Sequence, residues 1–482
     1  MLSYIFAFVL GLAPALQSVF DLPLQLALQR GLLLACLVWA ALRAHRGGLP
    51  AALGARPQRL LWAAAGLSLA ALLASPFRGQ VFGEWGNFAA GLLIFVFASF
   101  LNKEERGRVE AAALAGAWLV FALALVQAFA LKNFHDRPPL TNLNALALYA
   151  VMIFPLALER KSRWPLAAAM LVLVIWTQSL GAALAGLAAA GYYAASRPAG
   201  AVKGSGWLLA ALGAAAVGVL WVLQADSLAG RLTWWRGAWD MFLARPLAGF
   251  GHASYSWAQA AFLPDGAFRE RSIYAHNYYL EFLAENGLPA ALAWFITVFA
   301  AVRAKAGLAK YSLIAALAHS LMDFGLSVPA NFWLFCFLLS SPAAEEAAPR
   351  PSRRAGAAAL GLAALLLAAL LALDLRTLAF ERAGRRALVA ASANDLPGAE
   401  EALRPELRPG LFRGRSLELL GRLSLNDHSA PAGYRSAAYY EEALLENPYG
   451  PAAWGGLRRI YSQPGLERAA AGLERRRREV FK

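Results

Sequence analysis

The residues best suited to chemistry meet in one stretch of this chain. Between Arg231 and Gly287 it runs through Arg231-Leu-Thr-Trp-Trp-Arg236, then Pro246-Leu-Ala-Gly-Phe-Gly251, then Ala275-His276-Asn277-Tyr278-Tyr279. Arginine forks match phosphate oxygens, and histidine takes a proton near neutral pH. Set in a polar loop between apolar runs, the two residue types point to chemistry on a lipid-linked phosphate. His276 is the candidate base, and Arg231 the candidate phosphate ligand. A histidine just before an apolar helix is also often a mere cap neighbour, with Asn277 as the N-cap. Arg236 lies five residues after Arg231, across Trp234 and Trp235. An interfacial aromatic belt with snorkelling arginines would explain the tryptophans. It explains the arginines less well, because the loop falls on the side where basic residues are not favoured.

The other histidines carry weaker signals. His45 and His428 read as surface residues, His135 sits beside Asp136 and Arg137, and His252 follows the Gly249-Phe-Gly251 turn. His319 and Asp323 are four apart, which would place them on one helix face. Ionisable groups at membrane depth are costly and usually functional. A helix-end pair reaching interfacial water is the competing reading. The sequence has no Gly-x-x-x-x-Gly-Lys loop, no His-Glu-x-x-His, no paired-cysteine metal spacing and no external Asp-x-Asp pair. The expectation is therefore metal-free chemistry with no cofactor.

These residues must be positioned by membrane helices. Of 482 residues, 59% are hydrophobic and only 16% charged, too apolar for a soluble chain of this length. A spanning helix takes about 20 apolar residues. Candidate spans lie near 2–19, 22–42, 60–75, 87–101, 109–131, 142–158, 164–178, 180–196, 206–223, 284–302, 308–323, 328–341 and 356–374. The expected class is thus all-α and polytopic, with about thirteen transmembrane helices, and a polar break at 177–181 divides one long apolar run. Basic clusters at Arg43–Arg59, Lys103–Arg108, Arg160–Arg163, Arg197–Lys203, Arg303–Lys310 and Arg350–Arg354 fall on one side under this count. The positive-inside rule makes that side cytoplasmic. The N-terminus is then inside, and the 224–275 loop and the tail lie outside. The formal charge of +15 sits in loops and tail and suits anionic lipid head groups rather than nucleic acid. Two units are expected: a transmembrane domain over 1–374 that includes the external loop, and an external helical domain over 375–482. Ala438–Pro448 looks like the second helix of a tetratricopeptide repeat, with a generic helical hairpin array as the alternative. The four arginines within Glu474–Glu479 read as a solvated helix end.

In order along the chain, these segments resemble those of the O-antigen ligase and polymerase superfamily. Arg231 through Gly251 is similar to its Arg…Trp…Pro-x-x-Gly-x-Gly segment. His276-Asn277 through Glu285-Asn-Gly287 resembles its His-Asn…Glu-x-Gly segment. Thr141-Asn142-Leu143-Asn144 looks like its Asn-Pro-Asn, with leucine in place of proline, and His319-Ser-Leu-Met-Asp323-Phe resembles a later segment. The resemblance covers most of residues 60–345. It implies a GT-C-like helical fold and inverting, metal-independent transfer of a glycan from an undecaprenyl-diphosphate carrier. The acceptor would be a hydroxyl of a lipid, a glycan or a protein, outside a bacterial inner membrane. It carries the base role to His276 and phosphate binding to Arg231. Arg236, Trp235, Asn277, Glu285, Asn142, Asn144, His319 and Asp323 are the expected substrate-binding residues. Ser179-Leu180-Gly181 stands where many members have Ser-Arg-Gly. A second phosphate-binding arginine is thus missing there, with Arg236, Lys132 or Arg137 as candidate substitutes. Ligase, polymerase and protein O-oligosaccharyltransferase remain alternatives for the acceptor. A lipid-linked glycan transporter is the alternative of another class. Transporters carry charges mid-membrane, whereas most charges here lie in loops and at helix ends.

Overall fold

The computed structural model describes residues 1–16, 22–45, 56–196, 218, 225–263, 272–342, 353–425 and 430–481. These residues form helices and no strand. The membrane part contains α1 (Leu2–Leu12), α2 (Leu22–His45), α3 (Arg56–Leu73), α4 (Arg78–Ala98), α5 (Lys103–Leu125), α6 (Leu143–Leu158), α7 (Trp164–Thr177) and α8 (Leu180–Ala195). It continues with α9 (Ala225–Ala244), the single turn α10 (Tyr255–Ala258), α11 (Tyr278–Ala304), α12 (Leu308–His319) and α13 (Pro329–Leu339). Then come α14 (Arg353–Ser392), α15 (Leu396–Leu403), α16 (Arg413–Leu425), α17 (Ala430–Glu446), α18 (Pro451–Tyr461) and α19 (Glu467–Val480).

Five described helices are long and apolar enough to cross a membrane: Leu22–Ala44, Arg78–Ala98, Lys103–Ala130, Tyr278–Ala304 and Ala357–Ser392. Five shorter apolar helices accompany them, at Leu2–Leu12, Arg59–Leu73, Leu143–Leu158, Leu180–Ala195 and Pro329–Leu339. This is a membrane protein. The expected span at 206–223 lies almost wholly outside the described residues, as do Arg46, Arg197, Lys203, Arg350 and His428. The break expected at 177–181 is real. Gln178 turns into the left-handed region (φ 50°), and the Ser179 side chain caps α8 by accepting from the Ala182 amide.

Alanine and glycine let the helices approach closely, as membrane packing favours. Gly11 and Gly116 face each other where α1 crosses α5, and Gly91 leaves room for Phe332 where α4 meets α13. The core centres on α6, whose residues Ala145–Ile153 are nearly all inaccessible. Large apolar side chains remain exposed around the bundle, among them Trp118, Phe129, Ile175, Leu292 and Phe299. Lipid tails are the solvent that suits such a surface.

The bundle has two distinct ends. At one, Arg106 donates to the Phe337 carbonyl (3.0 Å) and the Ser340 hydroxyl (2.8 Å), Lys305 reaches the Ser340 carbonyl, and Arg163 pairs with Glu110 at 2.6 Å. At the other lie the starts of α4, α6 and α11 and the 246–263 segment. The functional residues gather there.

α14 has 40 residues, about 60 Å at the α-helical rise. That is roughly twice a bilayer's hydrocarbon thickness. One helix therefore carries the chain through residue 374 and out into the C-terminal part. Arg30 on α2 grips Asp374 with two hydrogen bonds of 2.6 and 2.8 Å. Beyond it, α16 pairs with α17, α17 with α18, and α18 with α19. The segment Ala438–Pro448, likened above to a tetratricopeptide helix, falls on the second half of α17, which ends at Glu446. In the arginine run, Arg476 bonds Glu441 at 2.6 Å and stands over Trp454, while Arg477 stands over Phe481.

Candidate functional site

The site begins with a kink. Within α11, Gly287 takes φ 73° and ψ 169°, a conformation that glycine alone adopts without strain. The kink opens α11 to the Pro246–Gly251 segment, which docks along it by three backbone bonds. Phe250 N donates to Ala284 O (3.2 Å), Gly251 N to Glu285 O (2.7 Å) and Leu288 N to Pro246 O (2.8 Å). A Cβ at Gly249 would strike the Glu285 carbonyl, and one at Gly287 the Leu247 carbonyl. The Pro-x-x-Gly-x-Gly and Glu-x-Gly patterns are thus two halves of one backbone joint.

Glu285 completes the joint. Its carboxylate accepts from the Ala253 and Tyr255 amides at 2.8 and 2.9 Å, holding the turn into α10. Glu281, one turn earlier, accepts from the Ala275 amide (2.7 Å) and the Ser327 hydroxyl (2.6 Å). Asn277 is the N-cap of α11: its side chain accepts from the Tyr279 and Leu280 amides, both at 3.1 Å. Tyr278 N donates to Ser320 O (3.0 Å) and the Tyr279 hydroxyl to Leu317 O (2.8 Å). These bonds tie the start of α11 to the end of α12.

That tie brings His276 to Asp323. His276 Nδ1 lies 3.4 Å from Asp323 Oδ1, and Arg231 Nη2 lies 3.4 Å from Asp323 Oδ2. Asp323 is fully buried, Arg231 nearly so, and His276 keeps 16% of its side chain accessible. His276 sits in the left-handed region at φ 52°. Such strain costs a non-glycine residue about 1–3 kcal/mol and collects at functional sites. The Trp234 ring stacks on the imidazole with centroids 4.7 Å apart, and the Phe324 ring meets it edge-on at 4.9 Å. The Trp235 indole donates to the His276 carbonyl at 3.3 Å. Arg231 Nε and Nη1 are buried without a hydrogen-bond partner.

His276 opens onto a cavity of about 750 Å³. Its polar wall includes Gln80, Glu84 and Asn87 from α4, Asn142, His252, and the carboxylates Glu281 and Glu285. Glu84 accepts from Gln25 (2.8 Å) and Asn87 (2.9 Å). The His252 ring packs on Phe88, and its Nδ1 lies 3.3 Å from Asn286 Nδ2. Burial pushes His252 down to about 4, so it is neutral near pH 7.

The sequence expectations fare unequally. His276, Asn142 and Glu285 line this cavity. The Asn142 side chain also caps α6, accepting from the Asn144 amide at 2.8 Å. Asn277, Arg231, Asp323 and His319 stand behind the cavity wall. Two expectations need correction. Arg231 and Arg236 do not lie in a loop: both are on α9, because residues 225–244 form a continuous helix. Five residues on a helix turn the side chain through about 140°, so Arg231 is buried while Arg236 is 79% exposed, its nearest carboxylate Asp240 at 4.0 Å. His319 and Asp323 do not share a helix face, since α12 stops at His319 and Asp323 lies in the turn beyond. The fully buried His319 ring sits against Gly181, where any side chain would crowd it, and beside the Asn144 backbone. Among the candidates to replace the arginine missing at the buried Leu180, Arg236, Lys132 and Arg137 are all exposed, and none lines the cavity.

Glu84, Glu281 and Phe324 were not singled out from the sequence, and His252 and Trp234 were read only as a turn residue and part of an aromatic belt. Glu84 had one readable signal, a carboxylate inside an apolar run. Trp234 had another, lying three residues from Arg231 on one helix.

In chemical terms, a histidine faces a cavity with one ring nitrogen turned to a buried carboxylate, which an arginine holds from behind. This is the arrangement of an oriented general base. Residues 165–295 match the family model described as O-antigen ligase. The matched stretch contains Arg231, His252, His276, Glu281 and Glu285, while Asp323 and Glu84 lie outside it. No curated protein matches the chain.

Proposed function

From the match of residues 165–295 to the O-antigen ligase model, we propose that the chain is an inverting, metal-independent glycan transferase. It moves a glycan from an undecaprenyl-diphosphate carrier to an acceptor hydroxyl at the external face of the bacterial inner membrane. The observation that carries the reading is His276, set on the wall of the cavity of about 750 Å³ with Asp323 beside Nδ1. Asp323 holds the ring, which leaves Nε2 to take the proton of the acceptor hydroxyl. As that proton leaves, the acceptor oxygen forms its bond to the sugar's anomeric carbon from the face opposite the diphosphate. The bond from that carbon to the diphosphate oxygen breaks, and the carrier diphosphate departs with the electron pair. Arg231 fixes Asp323 from outside the cavity, so its part is to position the carboxylate behind His276 rather than to touch the leaving group. Glu84, Glu281 and Asn87 present acceptors and a donor to sugar hydroxyls.

An apolar groove of about 610 Å³ between α8, α11 and α12 supports a lipid-tailed substrate. It runs from Tyr279 and Leu321, near the His276 end, to Arg303 and Lys310 at the other. The fold is read as GT-C-like, with the N-terminus cytoplasmic and the C-terminal helices external as a tetratricopeptide-like unit.

The glycan profile of a deletion strain tests this reading. Carrier-linked chains that pile up unligated identify a ligase, the reading we favour. Single-repeat glycans identify a polymerase, and unmodified glycoprotein identifies transfer to protein. An unchanged profile for all three contradicts the proposal.

A further inference from the structure

A second cavity, of about 520 Å³, lies between the C-terminal helices and the membrane part. Arg385 of α14, Arg415 and Arg422 of α16 and Tyr440 of α17 line it from one side, Phe77, Gln80 and Trp257 from the other. Gln80 and Trp257 also line the cavity of His276, so the two cavities share a wall. Arg415 builds that junction. It pairs with Glu381 at 2.9 Å and stands over the rings of Phe380 and Trp257, at 4.6 and 5.7 Å from their centroids.

Two features mark this cavity. Arg385 and Arg422 reach it from the exposed side and have no carboxylate within ion-pair distance among the described residues. Glu418 also lines it, and its Oε1 is buried without a hydrogen-bond partner. Burial pushes the Glu418 carboxyl up to about 7, against the pull of Arg415 and Arg422. Near neutral pH such a carboxyl exchanges a proton readily, and the buried Oε1 has no partner of its own. The cavity thus offers unspent arginine forks, a free carboxyl and the aromatic faces of Trp257 and Tyr440. Forks bind carboxylate or phosphate oxygens in pairs, and flat aromatic faces pack on the C–H faces of sugar rings.

We propose that this cavity, formed by Arg385, Arg415, Arg422, Glu418, Trp257 and Tyr440, is a binding subsite for an acidic saccharide stretch of the acceptor. The identification of the ligand as acceptor rests on the transferase reading above; the affinity for acidic saccharide does not. Its position beyond the shared Gln80–Trp257 wall would let an acceptor lie in the tail cavity while its terminal hydroxyl reaches His276.

The test is direct binding to the full-length protein in neutral detergent, by titration calorimetry. The probes are tetragalacturonate, maltotetraose of equal length, and inorganic phosphate. The account expects tetragalacturonate to bind at least about tenfold more tightly than either other probe, with an affinity that falls as salt rises. The exposed-side double variant Arg385→Gln with Arg422→Gln should lose that preference while its thermal unfolding stays at the parent value. Arg385→Lys with Arg422→Lys, which keeps charge but not the fork, should retain part of it. The His276→Ala protein should keep the parent affinity. Equal binding of acidic and neutral oligosaccharides, no binding of either, or parent-like binding by the double glutamine variant overturns the subsite. So does loss of affinity in His276→Ala, which would place the bound sugar in the other cavity. A chain that binds tetragalacturonate yet leaves every glycan profile unchanged keeps the subsite and loses the transferase reading.

Discussion

Asp323 is the residue on which the site turns. It is fully buried between Arg231 and His276, and its own sequence neighbourhood gives little sign of that. His276, Asn277, Glu285 and Arg231 could be picked out because each sits in a local pattern. Asp323 could be picked out only beside His319, and its partners are 47 and 92 positions away. The burial of Arg231 changes what its removal should do. In an exposed loop, Arg231→Ala would have been local. In a buried pair, taking away one partner leaves an uncompensated charge, at a cost of about 3–5 kcal/mol. Arg231→Ala should therefore lower the unfolding temperature as well as activity. Arg231→Ala with Asp323→Ala should recover part of the stability and none of the transfer, which thermal unfolding and a turnover assay on the same preparations would show. Equal stability of Arg231→Ala and the parent would mean that the pair is not what holds Asp323. Arg236→Ala, on the exposed side of α9, should leave both readouts within a factor of two or so of the parent.

At the scale of elements, the informative joint is the one between 246–251 and the α11 kink. The sequence shows the glycines but not their purpose. Spacing rules describe one helix or one turn at a time, whereas Gly249 and Gly287 are needed because two distant backbones touch. The same limit hid α9. Its mix of Arg, Thr, Trp and Asp breaks the apolar periodicity, so residues 225–244 read as loop. The helix forms because Arg231, Ala238 and Met241 are buried against neighbouring elements. Gly287→Ala should unseat the docked segment, release the Glu285 clamp on α10 and abolish most transfer. Gly307 has a similar φ of 71° but open space around its would-be Cβ. Gly307→Ala should cost only the backbone strain, about 1–3 kcal/mol. A melting comparison of the two variants checks this, and equal losses would refute the docking account.

At the scale of the whole molecule, the helical membrane class was legible from apolar run lengths alone. The exact set of spans was less so: among the described residues five helices are long and apolar enough to cross a membrane, and five further apolar helices are shorter. Nor could the reach of α14 be read. Its apolar run stops near residue 374, but the helix continues to Ser392 because polar and small residues after that point are equally good helix formers. The Arg30–Asp374 pair then anchors its midpoint. Among the described residues, Arg106, Arg163, Arg303 and Lys305 collect at the end opposite the cavity, as the positive-inside rule requires if the cavity faces outward. A reporter fused after Lys482 should accordingly be active only in an assay for external localisation. Activity in the cytoplasm would invert the topology and put the cavity on the wrong side for an external acceptor.

The central claim is that His276 takes the acceptor's proton. It is tested most directly by single-turnover transfer from purified carrier-linked glycan, with carrier binding measured on the same protein. His276→Ala should bind the carrier as the parent does and transfer about 10²–10⁴-fold more slowly, the usual loss on removing a general base. Near-parent turnover by His276→Ala would contradict the account and leave the histidine as no more than the residue before a helix cap.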